Sequence, residues 1–184
     1  MKQILKILFV TILLSIFSCG NNDSDEDALQ DWKTANEQAF NAIAANPAYK
    51  ELKSPGNEGS IYYKVLTEGT GTEPIYYTNT VNVYYKGWYV VGNDNWGINK
   101  NDVFQRKEFD DGTPVSILVA SPPSYLSKGS SVALQNMKKG DKWEIWIPYQ
   151  LGYGTTGQYD TNTGALKIPG YSTLVFEIEV VDIL

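Results

Sequence analysis

The chain has 184 residues, of which 42% are hydrophobic, enough for the core of one ordinary domain with a further segment attached. Its 21 acidic and 15 basic residues give a formal net charge of −6, which argues against a nucleic-acid partner because phosphate binding needs a basic surface. Histidine is absent and cysteine occurs once, which excludes Ser-His-Asp and Cys-His catalysis, the usual zinc sites and an intramolecular disulfide framework. We therefore expect neither a metal nor another cofactor.

Residues 1–18 have the pattern of an export signal. Lys2 and Lys6 lie at the start of an apolar run that is shorter than the roughly 18 to 20 residues needed to cross a bilayer. The run leads to Ile16-Phe17-Ser18-Cys19, which resembles a lipobox. We expect Cys19 to be the lipidated first residue of a bacterial lipoprotein, anchored to the cell envelope at the periplasmic face or at the cell surface. The alternative is an incidental cysteine in a discarded leader.

Residues 19–27 are polar and acidic, which predicts a solvated tether. Asp23, Asp25 and Asp27 have the spacing of a calcium-binding loop. Ala28 and Thr34, however, stand where such a loop needs glycine and glutamate. The spacing therefore does not predict a calcium site.

Residues 28–59 are predicted to form a helix and a linker. Asp27 and Gln30 resemble a capping box, and Asn46-Pro47 ends the helix because the residue before proline avoids the helical region. One face carries apolar residues at helical spacing, namely Leu29, Trp32, Ala39, Phe40 and Ile43. We expect this face to pack on the domain or to mediate self-association.

From residue 60 to residue 184 the hydrophobic period changes to two, which predicts one α+β domain. The expected strands are 60–67, 80–86, 142–147 and 173–181, and a short helix is expected at 131–139, before Gly140. Residues 93–102 are predicted to form a surface loop. The expected architecture is a curved antiparallel sheet wrapped around one short α-helix, preceded by the N-terminal helix.

Two long motifs carry a resemblance to a known family. They are ALQNMKKGDKWEIWIPYQLGYG at residues 133–154 and IPGYSTLVFEIEVV at residues 168–181, supported by VNVYYKG at 81–87 and GTG at 69–71. In this order and spacing the chain, from about Ile61 to Leu184, resembles the FKBP family of peptidyl-prolyl isomerases. The resemblance implies an FKBP-like fold and proline-containing polypeptides as partners.

The resemblance also implies a pocket on which X-Pro amides are isomerised. Its aromatic walls are Tyr85 and Phe104, with Val115 or Ile117 on the strand that follows, and Phe176 at the back. The hydroxyl of Tyr153 is expected to bond a substrate carbonyl, and Ile168 to contact the ligand through its backbone N–H and its side chain. An aromatic or branched residue on a strand also suits a core position, which is the alternative for each of them.

Two departures from the family pattern concern this pocket. The family's Phe-Asp pair corresponds to Phe104-Gln105 or to Phe109-Asp110, and the spacing to Pro114 favours the first. Gln105 still forms hydrogen bonds but lacks the charge of a carboxylate.

The second departure is at the pocket floor, where the family has a tryptophan. Residues 126–130 occupy this segment, with Leu126 at its start and Ser130 in place of the tryptophan. We expect a neighbour such as Trp88, Trp96 or Tyr125 to fill the space.

The function implied by the resemblance is isomerisation of X-Pro bonds in exported proteins. The two departures support an alternative, in which a catalytically weak or inactive module binds protein segments as a chaperone or adaptor. A third possibility is a glycan-binding surface made of exposed aromatic residues. The clients, the preferred residue before proline and the oligomeric state do not follow from the sequence.

Overall fold

The computed structural model describes residues 22–121 and 126–184. In these residues one long helix precedes an antiparallel sheet that is covered by a second, short helix. The helices are α1 (Asn22–Ala44) and α2 (Lys128–Leu134). The strands are β1 (Lys50–Lys53), β2 (Ser60–Thr67), β3 (Thr80–Tyr89), β4 (Val103–Lys107), β5 (Val115–Leu118), β6 (Lys142–Ile147), β7 (Gln158–Tyr159), β8 (Leu166–Ile168) and β9 (Leu174–Ile183). The α+β class and the sheet-and-helix arrangement expected from the sequence are confirmed.

The seven-stranded sheet has the order β1-β2-β6-β9-β3-β4, with β5 also paired to β3, and β7 and β8 form a separate pair. All of these pairings are antiparallel. Strand β3 is central because it pairs with β9 along nearly its whole length, from Val81 opposite Ile183 to Tyr89 opposite Leu174. Its alternate residues from Val81 to Tyr89 are buried, as a strand with one face on the core requires.

Helix α1 packs on its own domain through its middle. Trp32 and Asn36 are buried, and the Phe40 ring meets the Tyr62 ring of β2 edge to face. The helix begins at Asn22, so the backbone of residues 22–27, predicted as a tether, is helical and starts before the expected cap at Asp27. Within the described parts of the chain, no helix combines the length and the apolar character needed to span a membrane.

Strand β1 lies in the segment that was predicted to be a linker. It pairs with β2, from Lys50 opposite Tyr63 to Lys53 opposite Ser60. Its sequence, Lys-Glu-Leu-Lys, offers one apolar residue in four and therefore gives no clear strand signal. Charged, short strands are common at sheet edges, where they discourage pairing with other chains.

Helix α2 begins three residues before the predicted start and ends at Leu134, not at Lys139. The predicted helix at 131–139 did not include Gly129, a residue type that is a poor helix former. In the structure Gly129 is buried, and a Cβ at this position would lie 2.5 Å from Cγ2 of Ile147. Close packing of α2 on β6 therefore requires glycine here.

The predicted surface loop at residues 93–102 contains a short 3-10 helix, Asp94–Trp96. Asn93 caps it by accepting a hydrogen bond from the Asn95 backbone N–H. The Trp96 ring meets the Trp32 ring edge to face, with centroids 5.4 Å apart. Part of this segment therefore packs against α1.

Candidate functional site

Strand β3 supplies one wall of the site through Tyr85 and Tyr89, whose side chains lie on its buried face with Gly87 between them. Its two neighbours supply the next walls, because Gly87 pairs with Gln105 of β4 on one side and with Phe176 of β9 on the other. The aromatic residues expected around the pocket are thus brought together by three adjacent strands.

A β-bulge turns Phe104 towards this wall. Gly87 pairs with Gln105 while Trp88 pairs with Val103, which leaves Phe104 as the extra residue. Its ring meets the Phe176 ring edge to face with centroids 5.5 Å apart, and it tilts against the Tyr89 ring at 5.0 Å. Phe109, the alternative position, is 76% exposed and packs on Tyr84. The geometry favours Phe104 as the wall residue.

The hydroxyl of Tyr153 is buried and has no hydrogen-bond partner among the described residues. Burial raises the pKa of Tyr153 above its ordinary value, and the neighbouring phenols of Tyr85 and Tyr89 raise it further. The hydroxyl is therefore protonated at neutral pH and available as a donor. A buried donor without a partner is rare in folded proteins and calls for an acceptor.

The loop that carries Tyr153 is held by backbone hydrogen bonds. The Tyr149 carbonyl accepts from the N–H groups of Gly152 and Gly154, at 3.1 and 2.8 Å, and the Leu151 carbonyl accepts from Gly129 at 2.8 Å. The hydrogen bond from Gly129 to Leu151 ties the loop to the first turn of α2. The position of Tyr153 is therefore fixed by the same helix that covers the sheet.

The other expected site residues belong to the same region, at different depths. Phe104, Val115 and Tyr153 are half-buried and pack against the core cluster. The deeper residues are inside that cluster, namely Tyr85, Ile117, Leu126, Ile168 and Phe176. Contact of these deeper side chains with a substrate stays a prediction.

The two departures from the family pattern leave polar atoms without partners. Oε1 of Gln105 and Oγ of Ser130 are buried and accept or donate no hydrogen bond within the described part of the chain. Ser130 itself is 0% exposed.

The proposed replacements for the floor tryptophan differ in their placement. Trp88 is on the face of β3 opposite to Tyr85 and Tyr89, and its ring faces the Lys86 ammonium at 5.6 Å. Trp96 packs on Trp32. Tyr125 and the lipidation candidate Cys19 fall outside the described residues.

Two residues that contribute to the site were not identified from the sequence. Tyr89 is 5% exposed and its hydroxyl donates to the Lys167 carbonyl at 2.5 Å, next to Ile168. Its position could have been found by extending the alternation of β3 by two more inward residues, Gly87 and Tyr89. Trp32 of α1 meets the Tyr89 ring edge to face at 6.2 Å, a contact that no local pattern indicates.

Comparison with known proteins gives the same assignment as the motifs. A family model described as FKBP-type peptidyl-prolyl cis-trans isomerase matches residues 71–181. The macrophage infectivity potentiator of Trypanosoma cruzi is 27% identical over 98% of this chain and 80% of its own length. The FKBP-type 22 kDa peptidyl-prolyl cis-trans isomerase of Escherichia coli K12 is 33% identical over 80% of this chain, which spans 64% of that longer protein.

Solved structures are similar over most of the chain. A peptidyl-prolyl cis-trans isomerase from Pseudomonas syringae pv. tomato superposes with a TM-score of 0.62 at 29% identity, covering 89% of this chain and 98% of its own. The superposed part of this chain is longer than residues 71–181. The structural similarity therefore includes part of the region that precedes residue 71.

Proposed function

This chain belongs to the FKBP-type peptidyl-prolyl cis-trans isomerases, and from that membership we propose that its pocket isomerises X-Pro bonds of exported polypeptides by twisting a desolvated amide. The observation that carries the proposal is the buried, protonated hydroxyl of Tyr153, which lacks a partner in the described part of the chain and lies beside the tyrosines of β3. The substrate supplies the acceptor that this hydroxyl lacks.

The reaction suits a site without histidine, thiol or metal. Uncatalysed X-Pro isomerisation takes tens to hundreds of seconds, over a barrier of about 18–20 kcal/mol that reflects amide resonance. Water stabilises the charge-separated resonance form of a planar amide. An apolar pocket removes that water, so the planar ground state loses more stabilisation than the twisted transition state.

In this proposal the site residues have three separate roles in the isomerisation. The rings of Tyr85, Phe104 and Phe176 provide the apolar walls that exclude water from the prolyl ring. Tyr153 donates its hydroxyl proton in a hydrogen bond to a substrate carbonyl, which orients the peptide. Gln105 contributes a neutral acceptor where a carboxylate would give a bond about twice as strong, so we expect a slower isomerase than a site with aspartate.

A second candidate function is non-catalytic binding of protein segments as a chaperone or adaptor. It is supported by Ser130, a small buried residue where a floor tryptophan is expected, and by Trp88, which lies on the opposite face of β3. A buried aromatic side chain contributes about 150–250 Å² of apolar contact in total, so a pocket without its aromatic floor holds the substrate through less apolar surface. Binding could survive this loss while the twisted amide is held less well.

The same proposal includes attachment to the cell envelope. Cys19 follows an export signal in a context that resembles a lipobox. Lipidation would place the isomerase beside newly exported chains, where X-Pro bonds limit folding. Incorporation of labelled fatty acid into the wild-type chain, and its loss in Cys19→Ser, is the expected result; equal labelling of both would contradict the anchor.

Exchange NMR on an Ala-Pro tetrapeptide tests the catalytic proposal. The sample is the chain carrying Cys19→Ser, compared with the same chain carrying Tyr153→Phe. Faster cis–trans exchange that declines in Tyr153→Phe supports the isomerase. If a folded sample binds the peptide but does not accelerate its exchange, the catalytic proposal is wrong and the non-catalytic binding function is supported.

A further inference from the structure

Helix α1 reaches the candidate pocket through a row of aromatic rings. The Trp32 ring meets the Tyr89 ring with centroids 6.2 Å apart, and Tyr89 meets Phe104 at 5.0 Å. Phe104 in turn meets Phe176 at 5.5 Å. Protein interiors are close-packed, so a displaced ring in such a row shifts its neighbours.

Tyr89 is the junction of this row. Its ring contacts the wall residue Phe104, while its hydroxyl donates to the Lys167 carbonyl on strand β8, which ends at Ile168. Its backbone is fixed as well, because its carbonyl accepts from the Asn101 N–H at 2.9 Å. Tyr89 therefore contacts two parts of the candidate site, the Phe104 ring through its own ring and the Lys167–Ile168 segment through its hydroxyl.

The Trp32 turn of α1 is held against the domain by hydrogen bonds through Asn36. The Asn36 amide donates to the Trp32 carbonyl at 2.8 Å, and its Oδ1 accepts from the Thr173 N–H at 2.8 Å. The Thr173 hydroxyl donates to the Asn36 carbonyl at 3.1 Å. Thr173 directly precedes β9, the strand that carries Phe176, so α1 is tied to the site at a second point.

From these contacts we infer that Trp32 is a positioning residue of the isomerase site, and that helix α1 is part of the pocket's support. The inference rests on the proposed function and deepens it. Trp32 is 2% exposed and acts by confining Tyr89, which in turn sets Phe104 and the Lys167–Ile168 segment.

The test compares Trp32→Ala and Trp32→Phe with a matched control, Phe40→Ala. Phe40 also attaches α1 to the domain, through an edge-to-face contact with Tyr62 at 5.4 Å, but it lies outside the aromatic row. All variants are made in the full chain carrying Cys19→Ser. Exchange rates of an Ala-Pro tetrapeptide are measured at a temperature at which each variant is folded by its NMR spectrum.

We expect Trp32→Ala to lower kcat/KM by about tenfold, because small displacements of positioning groups reduce rates strongly. Trp32→Phe should restore most of this loss by refilling the space beside Tyr89. Phe40→Ala should lower the midpoint of urea unfolding but leave kcat/KM within about twofold of the parent. An equal loss of kcat/KM in Phe40→Ala would overturn the inference, because helix docking in general would then explain it.

Backbone amide shifts of Phe104, Lys167 and Ile168, together with the affinity for the tetrapeptide, provide a second reading in the same samples. Both should change in Trp32→Ala and stay constant in Phe40→Ala. If the parent chain does not accelerate exchange, the proposed function fails. The shifts and the affinity still decide the inference, which is overturned if Trp32→Ala leaves them unchanged.

Discussion

The Phe104 ring meets the Phe176 ring edge to face beside Gly87, on the strand that separates their own two strands. A Cβ at Gly87 would lie 2.7 Å from atoms of each ring. The glycine therefore lets two aromatic walls close over the middle of β3. This explains why the Tyr-Tyr-Lys segment of the sequence is followed by a residue without a side chain.

Gly87→Ala should damage the site and the fold together. The added methyl group displaces Phe104 or Phe176, and overpacking of this kind costs about 1–3 kcal/mol of unfolding free energy. We expect kcat/KM to decrease by at least about tenfold, because in our proposal the displaced rings form the pocket wall. Gly56→Ala is the control, since its added Cβ would contact the flexible Glu58 side chain at 3.4 Å. Full activity of Gly87→Ala would show that the two rings do not form the pocket.

Tyr153→Phe should reduce catalysis without reducing stability. The hydroxyl has no partner among residues 22–121 and 126–184, so its removal breaks no hydrogen bond within the described residues. In the transition state it contributes about 0.5–1.5 kcal/mol, which corresponds to a loss of up to about tenfold in kcat/KM. Urea unfolding and exchange NMR measure the two quantities. Tyr159→Phe, at a residue that is 55% exposed, is the control and should change neither.

The rate should be independent of pH from about pH 6 to about pH 10. The chain has no histidine, and burial raises the pKa of Tyr153, so its donor proton is retained throughout this range. A decrease of kcat/KM centred near neutral pH would show that another titrating group takes part in the reaction.

Stability should depend on alkaline pH. Burial raises the pKa of Tyr89 to about 12, with a smaller contribution from the Asp102 carboxylate. The unfolded phenol has a pKa of about 10, so above this pH the folded state binds more protons than the unfolded state. The contribution is complete below about pH 10 and is lost as the pH rises towards 12. Urea midpoints should be equal at moderately alkaline pH and lower at about pH 11, and an unchanged midpoint would contradict the shift.

Asn36→Ala should destabilise the chain by about 1–3 kcal/mol, because it leaves the buried Thr173 N–H without its acceptor. Asn41→Ala on the same helix replaces an exposed amide and should have little effect. Urea unfolding of both variants, each compared with the parent, measures the difference. Equal midpoints for the two variants would show that the Thr173 contact contributes nothing.

The sequence predicts the parts of this structure that are governed by a local period. The alternation of apolar and polar residues predicts the bounds of β2, β3, β6 and β9 to within a few residues. It does so because every second residue of such a strand faces the core. The family resemblance implied that Phe104 and Tyr153 belong to one pocket, and both lie near Tyr89 in the structure.

What the sequence could not predict depends on contacts between distant segments. Gly129 is tolerated inside helix α2 because Ile147, on strand β6, leaves no room for a side chain at this position. The contact of Trp32 with Tyr89 joins a helix to a strand that are far apart in the chain. The helical period indicated that Trp32 would be on an apolar face, but it contained no information about the partner of that face.

Helix α1 has 23 residues, which at 1.5 Å per residue gives a rod of about 35 Å. The contacts of Trp32, Asn36 and Phe40 attach the rod to the domain near its middle and further along its length. A pulling force on the Asn22 end therefore loads these contacts before it loads the hydrogen bonds of the sheet. The first of these contacts on the Asn22 side is the Trp32 ring against the Tyr89 ring, so tension applied to that end of the helix acts on Tyr89.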